Sequence, residues 1–186
     1  MAQPLAHEVI DMLMGLAPSP VPDFAKSMIT MPWLVGTFVM KWAAHENHLS
    51  LLISVLEGSE YQAVRDELLD GQQSDYEKRL RSSIGKVDSG LSLYMETIQK
   101  VHLELRPFRH NIVHGWFSGL NEEGDYVLRR KIRKQPRHTE VITRQMLSQK
   151  IDALDRLERW VTDAIQVSRG MPPVHRVLDS DASGAQ

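Results

Sequence analysis

A chain of 186 residues, 42% of them hydrophobic and 25% charged, holds enough apolar material for one folded domain with a core. A formal net charge of −2 supplies no global field to draw in nucleic acid or a membrane, so any such binding has to come from a local patch. The lack of cysteine excludes disulfides, thiol catalysis and cysteine-ligated zinc, and it suits a reducing, cytoplasmic setting.

In chain order, the opening "MAQPLAHEVIDMLMG" carries acids and no Lys or Arg, unlike a signal peptide, and Leu5–Leu16 reads as a short helix. "APSPVP" breaks it, because proline fixes φ and removes donors. The apolar stretch 28–40 is too short to span a bilayer and is interrupted by Pro32 and Gly36, so no membrane partner is expected. From about Pro32 to Glu57 the pattern is helical: Leu34, Phe38, Trp42, His45, Leu49, Leu52 and Leu56 recur at three- and four-residue steps, and Gly58 closes the run. "SEYQ" at Ser59 and "SDYE" at Ser74 read as capping boxes opening two short helices. After a break at "DSG", 88–90, a long helix carries Leu91, Tyr94, Ile98, Val101, Leu105, Phe108 and Ile112.

After Gly115 the period changes. "WFSGLNEEGDYVLRRKI" reads as two strands around an "NEEG" turn, a hairpin over about 116–132, and "KQPRH" as a loop. A last helix follows over about 143–168. The expected architecture is mainly α: a helical bundle with one small β-hairpin inserted before the last helix. Residues 1–31 form an N-terminal segment, 32–169 the bundle domain and 170–186 a disordered tail.

The chemistry is concentrated in "RPFRHNIVHGWFSG", 106–119. On a helical wheel with Arg109 at zero, the apolar residues 98, 101, 105, 108 and 112 fall between roughly 260° and 340°. His102, Arg106, Arg109, His110 and His114 fall between roughly 0° and 140°, and Glu104 points elsewhere. Pro107 is expected to kink this helix or to start a new one. Two readings of the basic arc are open. Cations are favoured at a helix C-terminus by the dipole alone. Alternatively, an imidazole that exchanges protons near neutral pH and a guanidinium that holds a phosphate suffice for metal-free RNA cleavage through the ribose 2′-OH.

"RHNIVH", Arg109 to His114, resembles the R-polar-x3-H motif of HEPN-domain proteins. The resemblance covers these six residues and a helical layout from about 32 to 168. It implies a helical bundle of toxin–antitoxin, phage-defence or RNA-processing type and a metal-independent endoribonuclease that works as a homodimer. Arg109 and His114 would be catalytic, with His110 at the polar position after the arginine. Asn111 lies one place later than the frequent family asparagine, and the family sometimes uses an acid from an earlier helix, a part Glu46 would take. Arg106 would be auxiliary. The products would be 2′,3′-cyclic phosphate ends, formed without metal or cofactor. Some members have lost activity and serve as binding or dimerisation modules, so a non-catalytic module paired with an antitoxin or another protein is the alternative.

Outside the motif, "RRKIRKQPRH", 129–138, holds six Lys or Arg and no acid. In a strand, Arg129, Lys131 and Arg133 share one face and could contact RNA phosphates; the competing reading is a charged edge strand that blocks aggregation. In "HENH", 45–48, two imidazoles lack an obligatory third metal ligand, and His45 falls in the apolar stripe as a packed core histidine. A third functional class remains: a helical protein whose basic cluster binds a small phosphorylated ligand without turnover.

Overall fold

The computed structural model describes residues 23–71, 74–130 and 138–175. The N-terminal helix expected at 5–16, Lys131, Arg133 and the end of the tail lie outside the described residues. Among those described, the order is α1 (Asp23–Glu57), α2 (Tyr61–Asp70), α3 (Ser74–Ile84), α4 (Ser89–His114), β1 (Trp116–Leu120), β2 (Tyr126–Arg130), β3 (His138–Ile142) and α5 (Arg144–Ser168). The protein is mainly α with a small antiparallel sheet before the last helix, as the periodicities predict. Among the described residues no helix is long and apolar enough to cross a membrane.

The chain divides into two compact units, Met1–Met40 with Pro107–Ile151, and Lys41–Arg106 with Asp152–Gln186. In the first, the buried side chains are Met31, Leu34 and Phe38 of α1, Phe108 and Ile112 of α4, Leu128 and Ile142 of the sheet, and Leu147 and Ile151 of α5. Phe38 and Phe108 meet edge to face with ring centroids 5.1 Å apart, a geometry worth about 1 kcal/mol beyond area burial. In the second, Trp42, Leu49, Leu52, Ile53, Leu80, Met95, Ile98, Leu105, Leu157 and Val161 are among the buried set.

Four sequence expectations need correction. Helix α1 starts at Asp23 and runs through Pro32 instead of starting there. A proline mid-helix costs about 3 kcal/mol, and burial of Met31, Leu34 and Phe38 on one side offsets it. Second, Ser59 does not cap α2. Its N–H donates to the Ser54 carbonyl at 2.9 Å, so it completes the end of α1, and Glu60, at the N-cap, makes no side-chain capping bond. Third, of the two outcomes expected at Pro107, a new helix does not occur: α4 continues from Ser89 to His114 through it. Its start is fixed by Asp88, whose Oδ1 accepts the Leu91 N–H at 2.9 Å and whose carbonyl accepts that of Ser92.

Fourth, the hairpin is a three-stranded sheet of order β1-β2-β3. β3 pairs with β2 in full register, from Tyr126 opposite Ile142 to Arg130 opposite His138. "HTEVI" escapes the hydrophobic alternation test because one inward position is Glu140, whose carboxylate accepts Asn111 Nδ2–H at 2.8 Å. The "NEEG" turn forms as expected: Asn121 Oδ1 accepts the Asp125 N–H at 2.7 Å, and Gly124 adopts φ +81°.

At the other end of the chain, Asp163 is fully buried. Its Oδ1 accepts the backbone N–H groups of Val174 and His175 at 2.8 and 3.0 Å and lies 3.1 Å from His175 Nδ1. The segment from Gly170 to His175, which composition assigns to a disordered tail, is thereby tied to α5.

Candidate functional site

The last turns of α4 carry the basic residues, and the first unit holds Arg109, His110, Asn111 and His114. Burial of Phe108 and Ile112 fixes the rotation of this part of the helix. His110 and His114, four residues apart, then share a side, with ring centroids 4.5 Å apart. His114 is exposed and His110 half-buried. Arg109 lies roughly 140° around the helix from His114. It is half-buried, its Nε is enclosed without a hydrogen-bond partner, and no carboxylate among the described residues pairs with it. Asn111 is committed to Glu140 and ties α4 to β3.

Gly115 makes the exit from this helix possible. A Cβ there would stand 2.6 Å from the Asn111 carbonyl oxygen and 2.7 Å from Leu128 Cδ1. The chain therefore passes directly from His114 into β1 beneath the buried Leu128. Trp116 pairs with Arg129 and Phe117 with Leu128. Strand alternation sorts the sheet into two faces. Leu128 and Ile142 are buried on one; Trp116, Arg129, Thr139 and Val141 are exposed on the other.

The rest of the expected cluster is distributed differently. Arg106, in the second unit, forms an ion pair with Glu77 of α3, so an acid from a distant part of the chain does meet the basic arc. Glu46 is also in the second unit, near Tyr76, whose hydroxyl pKa is raised chiefly by burial.

His102 is not on an exposed basic face at all: it is fully buried. Its Nδ1 lies 3.1 Å from His45 Nε2, and its ring lies 5.1 Å from that of Trp42. Burial, reinforced by the Arg106 charge, lowers its pKa to about 4. Burial likewise holds His45 well below the ordinary value, with His102 adding to the effect. The two imidazoles form a neutral pair. His45 Nδ1 and His102 Nε2 have no partner among the described residues. A helical wheel does not reveal the pairing, because His102 sits at roughly 20° on it, on the border of the apolar arc. His45, which the apolar stripe marks as a core residue, is one.

Among the described residues no group of three or more His, Asp or Glu side chains is placed to hold a metal ion. No protein-family model, curated protein or solved structure matches this chain.

Proposed function

We propose that the protein is a metal-independent endoribonuclease of HEPN type, acting as a cytoplasmic homodimer in a toxin–antitoxin or phage-defence setting. The observation that carries this reading is a guanidinium with no acid partner among the described residues, Arg109, on the same helix end as the imidazole pair His110 and His114. A half-buried guanidinium with no anion beside it among the described residues is a receptor suited to phosphate.

In the reaction, His114 takes the proton of a ribose 2′-OH and that oxygen attacks the adjacent phosphorus. Arg109 stabilises the charge on the phosphorane oxygens, and the 5′-oxygen leaves with a proton. The products are a 2′,3′-cyclic phosphate and a 5′-OH. Attacking and leaving oxygens lie in line across phosphorus. In this reading the proton for the leaving oxygen comes from a second imidazole: His110, whose ring centroid is 4.5 Å from that of His114, or the second motif of a dimer, which also compensates for the angular separation of Arg109 and His114. Arg106, auxiliary by the resemblance, lies in the second unit and is paired there with Glu77.

Incubation of the protein with defined RNA in EDTA tests it. Cutting that leaves cyclic phosphates, reduced about a hundredfold or more in Arg109→Ala and in His114→Ala, is the expected result. Persistent cutting in both variants rejects it. The angular separation of Arg109 and His114 also favours a second reading, a non-catalytic dimerisation or binding module that works with a partner protein. That module would dimerise or capture its partner and leave RNA intact.

A further inference from the structure

The outer face of the sheet carries groups that are unusual for a solvent face. Trp116 is 45% exposed and Val141 42% exposed. Arg129 stands directly across from Trp116 in the β1–β2 register, and Thr139 sits beside Arg129 in the β2–β3 register. Val127 completes the face opposite Val141. No carboxylate lies on it among the residues of the three strands; Glu122, Glu123 and Asp125 are in the turn, at the end of the strands away from His114. The inward face carries Leu128 and Ile142, 2% and 0% exposed, so the sheet already has its core and does not need Trp116 for stability.

A solvated sheet face ordinarily alternates to polar residues. An exposed indole with an arginine across from it on the neighbouring strand, two residues beyond His114, calls for another explanation. An aromatic ring offers every unpaired base a stacking surface, and arginine adds a phosphate contact or a cation–π contact. A base paired inside an A-form duplex has both faces covered by its neighbours and cannot use such a platform.

We propose that this face is a stacking platform for single-stranded RNA. One unpaired base lies on Trp116, the adjoining phosphate is held by Arg129, and the strand is led to His114. The inference rests on RNA being the ligand of the site and adds its strandedness and the residues that read it. It also gives the sheet a purpose: delivering an unpaired nucleotide, whose sugar is free to take the in-line geometry that cleavage requires.

Binding separates this inference from the cleavage reading. A fluorescein-labelled twelve-nucleotide single-stranded RNA, its duplex and the DNA of the same sequence are titrated by anisotropy, in EDTA, with His114→Ala protein. The single strand is expected to bind more tightly than the duplex. Adding Trp116→Ala should weaken single-strand binding roughly tenfold, while Trp116→Phe, which keeps a ring, stays within about threefold. Arg129→Ala should weaken binding and lower the slope of log Kd against log salt by about one. Circular dichroism and the urea midpoint report whether each variant keeps the fold.

Equal affinity in the Trp116→Ala variant, or preference for the duplex, overturns the platform even if wild-type protein cuts RNA. A change of oligomeric state in Trp116→Ala assigns the face to a protein interface and overturns it too. If no RNA of either form binds while the fold is intact, both the platform and the ribonuclease reading fall.

Discussion

An alanine at position 115 would place its Cβ 2.6 Å from the Asn111 carbonyl oxygen and 2.8 Å from Leu128 Cγ. Neither can give way easily: one is backbone at the end of α4, and the other belongs to a side chain 2% exposed. Gly115→Ala should cost about 1–3 kcal/mol. Gly36 is the control. It lies in α1, where an added methyl group would meet nothing within 4 Å. Gly36→Ala should gain about 0.5–1 kcal/mol from helix propensity. Urea midpoints that moved alike would contradict the close approach at Gly115. The difference between these glycines is invisible in sequence, where both merely interrupt a pattern. The basic cluster is a mixed case at this scale. Arg109, His110 and His114 are legible because they are neighbours on one stretch of helix. The commitments of Arg106 to Glu77 and Asn111 to Glu140 depend on partners 29 residues away in either direction.

Helices are where local rules predict best, because the 3.6-residue repeat and the caps are short-range. Asp88 shows this for α4: its side chain meets an N–H that the helix leaves unpaired. Asp88→Ala should lower stability by about 1 kcal/mol. Chemical denaturation should show a lower midpoint with an unchanged slope; no change would mean that packing of the helix body alone sets where α4 begins. The same rules place the start of α5, where the Thr143 hydroxyl accepts the Met146 N–H at 3.0 Å. They misplace the start of α1 and the cap of α2, because a proline and a serine have more than one local use. They also miss β3, whose inward Glu140 breaks the apolar alternation and is satisfied by a side chain from another element.

For the whole molecule, the His45–His102 pair sets an acid limit on stability. Folded His102 titrates at about 4, against an ordinary value of 6.5. The unfolded chain therefore binds its proton first as pH falls. The stability contributed is present above pH 6.5 and drains away between 6.5 and about 4. For His102 alone the loss approaches roughly 3 kcal/mol, and His45 adds in the same direction. Thermal melts from about pH 7.5 to about 4.5 should show Tm falling in this window, and His102→Gln should flatten the fall. An equally steep profile in that variant would place the acid sensitivity elsewhere.

By itself the sequence determined the mainly helical class, the position of the inserted β-element and the stretch that carries the basic cluster. Each of these is written in periodicity, caps and side-chain type over a few turns of chain. Only the tertiary structure decided which histidines are buried and neutral, which cations have an acid partner and which face of the sheet Trp116 occupies. Those outcomes turn on which distant residue supplies burial, a carboxylate or a neighbouring strand. A wheel drawn for one helix places His102 and Arg109 side by side. Packing buries His102 against Trp42 and His45 and leaves Arg109 without an acid among the described residues.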